Sequence, residues 1–264
     1  MKFKNAEVDM LHGPLIKKLL LFTLPIALSS ILQQLFNAAD TAVVGYFGNK
    51  DALAAVGTNT EIVALIVTVS SGLSIGANIL VANLIGKNRK SEIPSAVQGA
   101  VFCFANIFVQ ASVNGFGETA IAGSTVAMNF EYFTYYIITA FGQTATTFTG
   151  QNHAAGQRER CRKILWLCLL LSTVCSSIPI FTIVLFRSFF SGLLTPDPAV
   201  IESAGVRILC ILLFEPICNL YEIPAGALRG SGHALYPALS TMIGTCAFRI
   251  IWICTVFRAN PTLP

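Results

Sequence analysis

Four stretches of this chain are too long and too poor in charge for a water-soluble fold. Leu19 to Asn49 contains only Asp40, Ala52 to Ile85 only Glu61, and Ser95 to Gly117 and Ile164 to Phe186 contain no Asp, Glu, Lys or Arg. Each exceeds the roughly 20 residues a helix needs to cross a hydrocarbon core. With 54% hydrophobic and 11% charged residues, the chain falls far below the ~25% charged usage of soluble domains. Lipid gives the backbone no hydrogen-bond partners, so a span must be a helix or part of a closed barrel. Barrel strands would alternate over about ten residues, and no such alternation is seen. The expected class is all-α, a polytopic membrane helical bundle.

Seven spans are read at about 15–48, 53–85, 94–116, 120–153, 163–189, 199–228 and 234–257. The first follows Lys17 and Lys18 and starts like a secretory signal, but its apolar run continues to Phe47 without a cleavage end and is read as a retained span. Alternate loops collect Lys2, Lys4, Lys17, Lys18, then Lys87, Arg89, Lys90, then Arg158, Arg160, Arg162, Lys163, and finally Arg229; the other side has Lys50, Arg187 and Arg258. By the positive-inside rule the N-terminus is cytoplasmic, and an odd span count puts the C-terminus outside. The net charge of +4 thus reports orientation in the membrane, and no nucleic-acid partner is expected. The eight cysteines fall mostly inside apolar runs and read as buried free thiols.

Shifted by 70 positions, the chain matches itself: Asn59 meets Asn129, Glu61 meets Glu131, Gly72 meets Gly142, Gly86 meets Gly156 and Lys90 meets Arg160. The second span therefore repeats as the fourth with the same direction, the parallel kind of repeat that relates two lobes about the membrane normal. The bland alternative is chance recurrence of the small residues that helix packing favours.

Four segments carry a resemblance. They are Leu24-Pro25-Ile26-Ala27 leading into Phe36-Asn37-Ala38-Ala39-Asp40-Thr41; Asn114-Gly115-Phe116-Gly117 followed by Ala120-Ile121-Ala122-Gly123; Gly150-Gln151-Asn152-His153-Ala154-Ala155-Gly156; and Gly226-Ala227-Leu228-Arg229-Gly230-Ser231-Gly232. In this order they resemble the first, seventh, eighth and tenth helices of the multidrug and toxin extrusion (MATE) family of efflux transporters. That family has twelve helices in two lobes, so the resemblance implies an internally shortened and C-terminally truncated member in which helices three to six are missing. Residues 1–94 then form an N-lobe remnant, 95–117 a composite helix at the splice, and 118–264 the C-lobe.

An acid in mid-span costs at least about 2.5–3.5 kcal/mol to insert, which makes Asp40 the leading candidate. Gln33, Phe36 and Asn37 share its helical face. The resemblance implies that Asp40 matches the family's first-helix acid, which binds a coupling proton or sodium ion; the alternative is a neutral carboxyl satisfied by amides. Further cavity candidates are Asn114 by its repeat position, Tyr136 within Tyr132, Tyr135, Tyr136 and Thr139, and Glu222 between Asn219 and Pro224. Glu61 and Glu131 could line a shared vestibule or cap helices. Glu215, before Pro216, is expected to support a helix break. Arg249 lies inside the last span with no partner assignable from sequence.

No nucleophile motif and no phosphate-binding loop is present, so enzymatic and ATP-driven readings are excluded. No cofactor is implied beyond a coupling proton or sodium ion. The expected activity is secondary antiport of small organic cations or drugs across a cell membrane, with the lipid bilayer as the other partner and self-association left open. The alternative is a transport-inactive remnant acting as a structural or interacting membrane protein, or an incomplete gene product.

Overall fold

The computed structural model describes residues 9–59, 66 and 93–257; most of the expected second span, including Glu61, lies outside the described residues. The described chain is helical, and no strand occurs among the described residues. Helix α1 spans Leu15–Phe47, α2 is described over 50–59, α3 spans Ile93–Asn114, α4 Glu118–Ala154, α5 Arg158–Leu185, α6 Arg187–Gly192 and α7 Pro198–Leu212. A 3-10 turn at Glu215–Cys218 leads into α8, Asn219–Gly230. The last helix runs as α9, Leu235–Thr241, a π turn Met242–Ala247, α10, Phe248–Trp252, and a second π turn Ile253–Phe257. Leu15–Phe47, Arg158–Leu185 and Leu235–Thr255 are long and apolar enough to cross a membrane.

The sixth expected span is interrupted rather than continuous. Pro216 cannot donate a backbone hydrogen bond, and the helix gives way between Leu212 and Asn219, where Glu215 and Pro216 lead the sequence to expect a break. Helix α1 is continuous from Leu15 to Phe47, although Pro25 lies inside it.

The outside of the bundle is apolar. Helix α1 exposes Leu21, Leu24, Leu28, Leu32 and Phe36, and α5 exposes Trp166, Leu170, Ile178 and Phe181, each by more than half. In water these faces would drive aggregation; in hydrocarbon they are the required surface. Cys210 and Cys254 belong to this outer surface, which corrects the expectation of buried thiols for those two, whereas Cys168 and Cys246 are buried.

Helix α4 is the hub and packs against α1, α5, α7 and α8. The interior is layered along it. One apolar cluster joins Val126 to Ile180, Val200, Ile208 and Leu212. A second joins Phe141, Ala145 and Phe148 to Leu19, Ile164 and Ile223. Between them on the same helices lies a polar layer: Thr134 Oγ1 donates to Glu215 Oε2, Ser172 Oγ donates to Asn219 Oδ1, and Asn219 Nδ2 donates to Ser176 Oγ at 3.3 Å. Each polar group in this layer finds a partner, as burial away from water demands.

Helix α8 crosses α4 at backbone contact. A Cβ placed on Gly226 would meet the Gly142 carbonyl oxygen at 2.4 Å, and one on Gly230 would meet the Thr146 carbonyl oxygen at 2.2 Å. This is the small-xxx-small pairing by which membrane helices gain van der Waals contact without a hydrophobic driving force.

Both ends of α1 are fastened to the α4–α7 unit. At the end rich in Lys and Arg, Met10 is buried against the second cluster. Asn152 Nδ2 donates to its carbonyl at 3.0 Å, and Arg160 Nη2 donates to the carbonyls of His12 and Gly13, each at 3.1 Å. At the far end Tyr46 donates to the Gly192 carbonyl at 2.7 Å, and Lys50 Nζ lies 3.0 Å from Asp197 Oδ2. Asp197 also caps α7 by accepting from the Ala199 and Val200 N–H groups. The Lys50 hydrogen bond, then these N–H groups, hold its carboxyl below the ordinary 3.8. A depressed carboxyl contributes above its unfolded pKa and loses that contribution as pH falls through the folded one. Spin labels at Asn49 and Pro196 are therefore expected to stay close at neutral pH and to separate below about pH 4, with Asp197→Asn already separated at neutral pH. An unchanged distance in Asp197→Asn would remove this tie from the account.

Candidate functional site

A cavity of about 570 Å³ lies between α1, α2 and α4. Along α1 it is lined by Gln34, Asn37, Asp40 and Thr41, and along α4 by Thr125, Asn129, Tyr132 and Tyr136; Val56, Gly57 and Asn59 of α2 close one side. The polar groups of α1 and α4 form a closed circuit. Asn37 Nδ2 donates to Gln34 Oε1 at 3.3 Å, and Gln34 Nε2 donates to Asn129 Oδ1 at 3.1 Å. Asn129 Nδ2 donates to Thr41 Oγ1 at 3.2 Å, and Thr41 Oγ1 donates to the Asn37 carbonyl at 2.9 Å. Gln34, Thr41 and Asn129 are buried, while Asp40 is exposed at the rim. The circuit supplies each buried amide with a partner and fixes the polar wall without using the carboxylate. Among the described residues no hydrogen bond to the Asp40 carboxylate is seen.

Farther along α4 from Asn129 the rings of Tyr132 and Tyr136 stack with centroids 6.3 Å apart and planes 27° from parallel. An aromatic pair lining the same cavity as a carboxylate offers π faces and negative charge to an organic cation. A proton needs only the carboxylate; sodium needs further oxygens, which Asn37 and Asn59 among the lining residues can supply.

The structure brings Asp40, Asn37 and Tyr136 to one cavity and leaves three other candidates away from it. Gln33 is exposed on α1 and does not line the cavity. Its neighbour Gln34 does, because residues 34 and 41 are seven apart and both face α4, whereas 33 and 40 lie toward the edge of that face. Asn114 ends α3 and accepts from Gln110 Nε2 at 3.0 Å. Glu222 pairs with Arg229 at 2.8 Å and packs against Gly142 on α4. Tyr135 also leaves the expected aromatic group and meets the Tyr221 hydroxyl at 3.5 Å. Asn129 and Asn59, partners in the internal repeat, both line the cavity, and their repeat relation is the sequence signal that could have found them.

Glu131 does not cap a helix. It makes a two-pronged pair with Arg207, 2.7 Å from Nε to Oε1 and 3.0 Å from Nη2 to Oε2, and Arg207 Nη1 donates to Ser124 Oγ at 2.7 Å. The pair joins residues 76 positions apart, and no sequence pattern announces it. Arg249 Nη1 donates to Asn106 Oδ1 at 2.8 Å, the contact the sequence could not assign.

The MatE family model matches this chain twice, over residues 25–105 and 94–254. The chain belongs to the MatE family. The two matches overlap at 94–105. Relatives of this MatE chain include the probable multidrug resistance protein NorM of Thermotoga maritima, 29% identical over 165 residues, which are 60% of this chain and 34% of the relative. The multidrug resistance protein PmpM of Pseudomonas aeruginosa is 29% identical over 133 residues, 50% of this chain and 28% of the relative. An FAD transporter of Shewanella oneidensis is 23% identical over 145 residues, 51% of this chain and 32% of the relative. The chain spans about a third of the length of the curated relatives it matches. No solved structure matches it.

Proposed function

We propose that this MatE chain is a secondary antiporter unit that exports small organic compounds, cationic or drug-like in character, in exchange for protons or sodium ions. The observation that carries the reading is the single cavity in which Asp40, Asn37 and Tyr136 meet. Asp40 is the coupling acid. In its charged form it attracts a cation toward the tyrosine pair; on protonation that attraction vanishes and the organic ion is released. Each ligand favours one conformation of the α1–α4 contact, and only that difference in affinity can drive exchange. Family membership and the multidrug resistance relatives support a transport role. In this scheme residues 1–94 are what remains of the first lobe, 95–117 the composite helix and 118–264 the second lobe. The N-terminus lies in the cytoplasm and the C-terminus outside.

The test is dye efflux from a cell lacking its own exporters. Cells making the parent chain are expected to accumulate less dye than the vector control, and Asp40→Asn is expected to return accumulation to the vector level. Gln33→Ala, outside the cavity, should behave as the parent. A second reading, a transport-inactive remnant with a structural role, is favoured by the fastening of α1 at both ends. Equal dye in vector, parent and Asp40→Asn, with the parent inserted in the membrane, would reject antiport and leave that second reading.

A further inference from the structure

The first two turns of α5 carry Arg158, Arg160, Arg162 and Lys163. Three of these, Arg158, Arg160 and Lys163, line a cavity of about 510 Å³ that shares no lining residue with the Asp40 cavity. Glu159 lines it too, so three cations face one carboxylate. Arg160 is anchored: its Nη2 donates to the His12 and Gly13 carbonyls, which orient the guanidinium and bring no formal charge to it. Arg158 and Lys163 are exposed at the mouth. The volume falls within the range of small-molecule sites, about 300–1,000 Å³.

The position of the cavity selects its ligand. Ile164 to Phe186 contains no Asp, Glu, Lys or Arg, and α5 is long and apolar enough to cross a membrane. The cavity therefore sits where a charged helix start meets hydrocarbon, at headgroup level. Directly beyond it Trp166, Leu170, Val174 and Ile178, each at least half exposed, follow one another at intervals of four and run down one side of α5. Trp166 stands one turn from Lys163, and an indole favours the same boundary layer. A guanidinium fork matches two phosphate oxygens and an ammonium adds a point charge. Free phosphate would meet the same cations, but only a lipid also gains from the apolar stripe beneath them.

We propose that this cavity binds the phosphate headgroup of an anionic two-chain phospholipid, with Arg158 and Lys163 on the headgroup and an acyl chain along Trp166, Leu170, Val174 and Ile178. The charge preference is opposite to that of the Asp40 cavity, and the site does not depend on the chain transporting anything.

Trp166 reports on the site directly. The chain has two tryptophans, and Trp252→Phe leaves Trp166 as the only one. In bilayers mixing phosphatidylglycerol with phosphatidylcholine, brominating one lipid and then the other gives their relative affinity at Trp166 from the quenching. Phosphatidylglycerol is expected to be preferred about fivefold at low salt, the effect of one basic residue at a membrane surface. Arg158→Gln with Lys163→Gln should bring the two lipids to parity, whereas Lys17→Gln, exposed on α1 outside the cavity, should keep the preference. Glu159→Gln, which removes the one carboxylate of the lining, should raise it. Both substituted cations are exposed, so the double variant is expected to melt with the parent. The proposal is overturned if the parent shows no preference, or if Lys17→Gln abolishes it as fully as the double variant does. It is overturned as to source if inorganic phosphate abolishes the preference where chloride at equal ionic strength does not.

Discussion

Gly230→Ala is expected to destabilise the purified chain by about 1–3 kcal/mol, the usual cost of forcing extra atoms into a packed contact, and Gly230→Leu to prevent accumulation of folded protein. A Cβ on Gly230 would lie 2.2 Å from the Thr146 carbonyl oxygen, 3.0 Å from the Thr146 carbonyl carbon and 3.1 Å from the Gly150 nitrogen. All three are backbone atoms of α4, so no side chain can swing aside. The helices must separate, and with them the contact that positions α8 beside the hub. Gly226→Ala meets the same obstacle at the Gly142 carbonyl and should behave alike. The control is Gly244→Ala, where the added Cβ meets nothing within 4 Å. Heating detergent-purified variants and measuring the soluble monodisperse fraction decides the matter: Gly230→Ala melting with the parent would show that α4 and α8 are not held at backbone contact.

The second large effect concerns Glu131. Replacing it with Gln leaves the Arg207 guanidinium without the carboxylate that meets it through two nitrogens, while both side chains are largely withdrawn from solvent, at 18% and 24% exposure. Stranding one partner of a buried pair costs about 3 kcal/mol or more, because the remaining charge keeps its desolvation penalty. Glu131→Gln is therefore expected to lower the melting temperature sharply, and Arg207→Met somewhat less, since a neutral Met leaves a carboxylate that can take up a proton. The double variant Glu131→Gln with Arg207→Met should recover most of the loss, because neither charge then remains in the partly buried contact. A double-mutant cycle separates the pair from the individual side chains; additive losses would mean that the two groups do not stabilise the fold through one another.

These effects sit where the sequence is least informative. Charge-poor runs and the basic loops are local features, and they placed α1, α3, α4 and the last helix within a few residues. The break near Pro216 was legible for the same reason, since a missing N–H acts on its own helix. Asp40, Asn37 and Tyr136 were legible as polar groups at helical spacing in apolar surroundings. The choice of Gln34 over Gln33 was not, because two adjacent glutamines differ only in which neighbouring helix each meets. Likewise Glu222 reads as a cavity acid until Arg229, one helix face and two turns away, is seen to take its carboxylate.

What the sequence by itself determined is the solvent: runs of apolar residues too long for a soluble core require a bilayer and, within it, helices. Family membership follows from short motifs whose glycines and polar residues keep their order along the chain. Tertiary structure alone decided the partners. Glu131 with Arg207, Gln34 with Asn129, Arg249 with Asn106, and the strap of Met10 under Asn152 all join positions far apart in the chain. Such pairings depend on the rotation and height of one helix against another, quantities that a hydrophobic pattern leaves free and that close packing at Gly226 and Gly230 fixes.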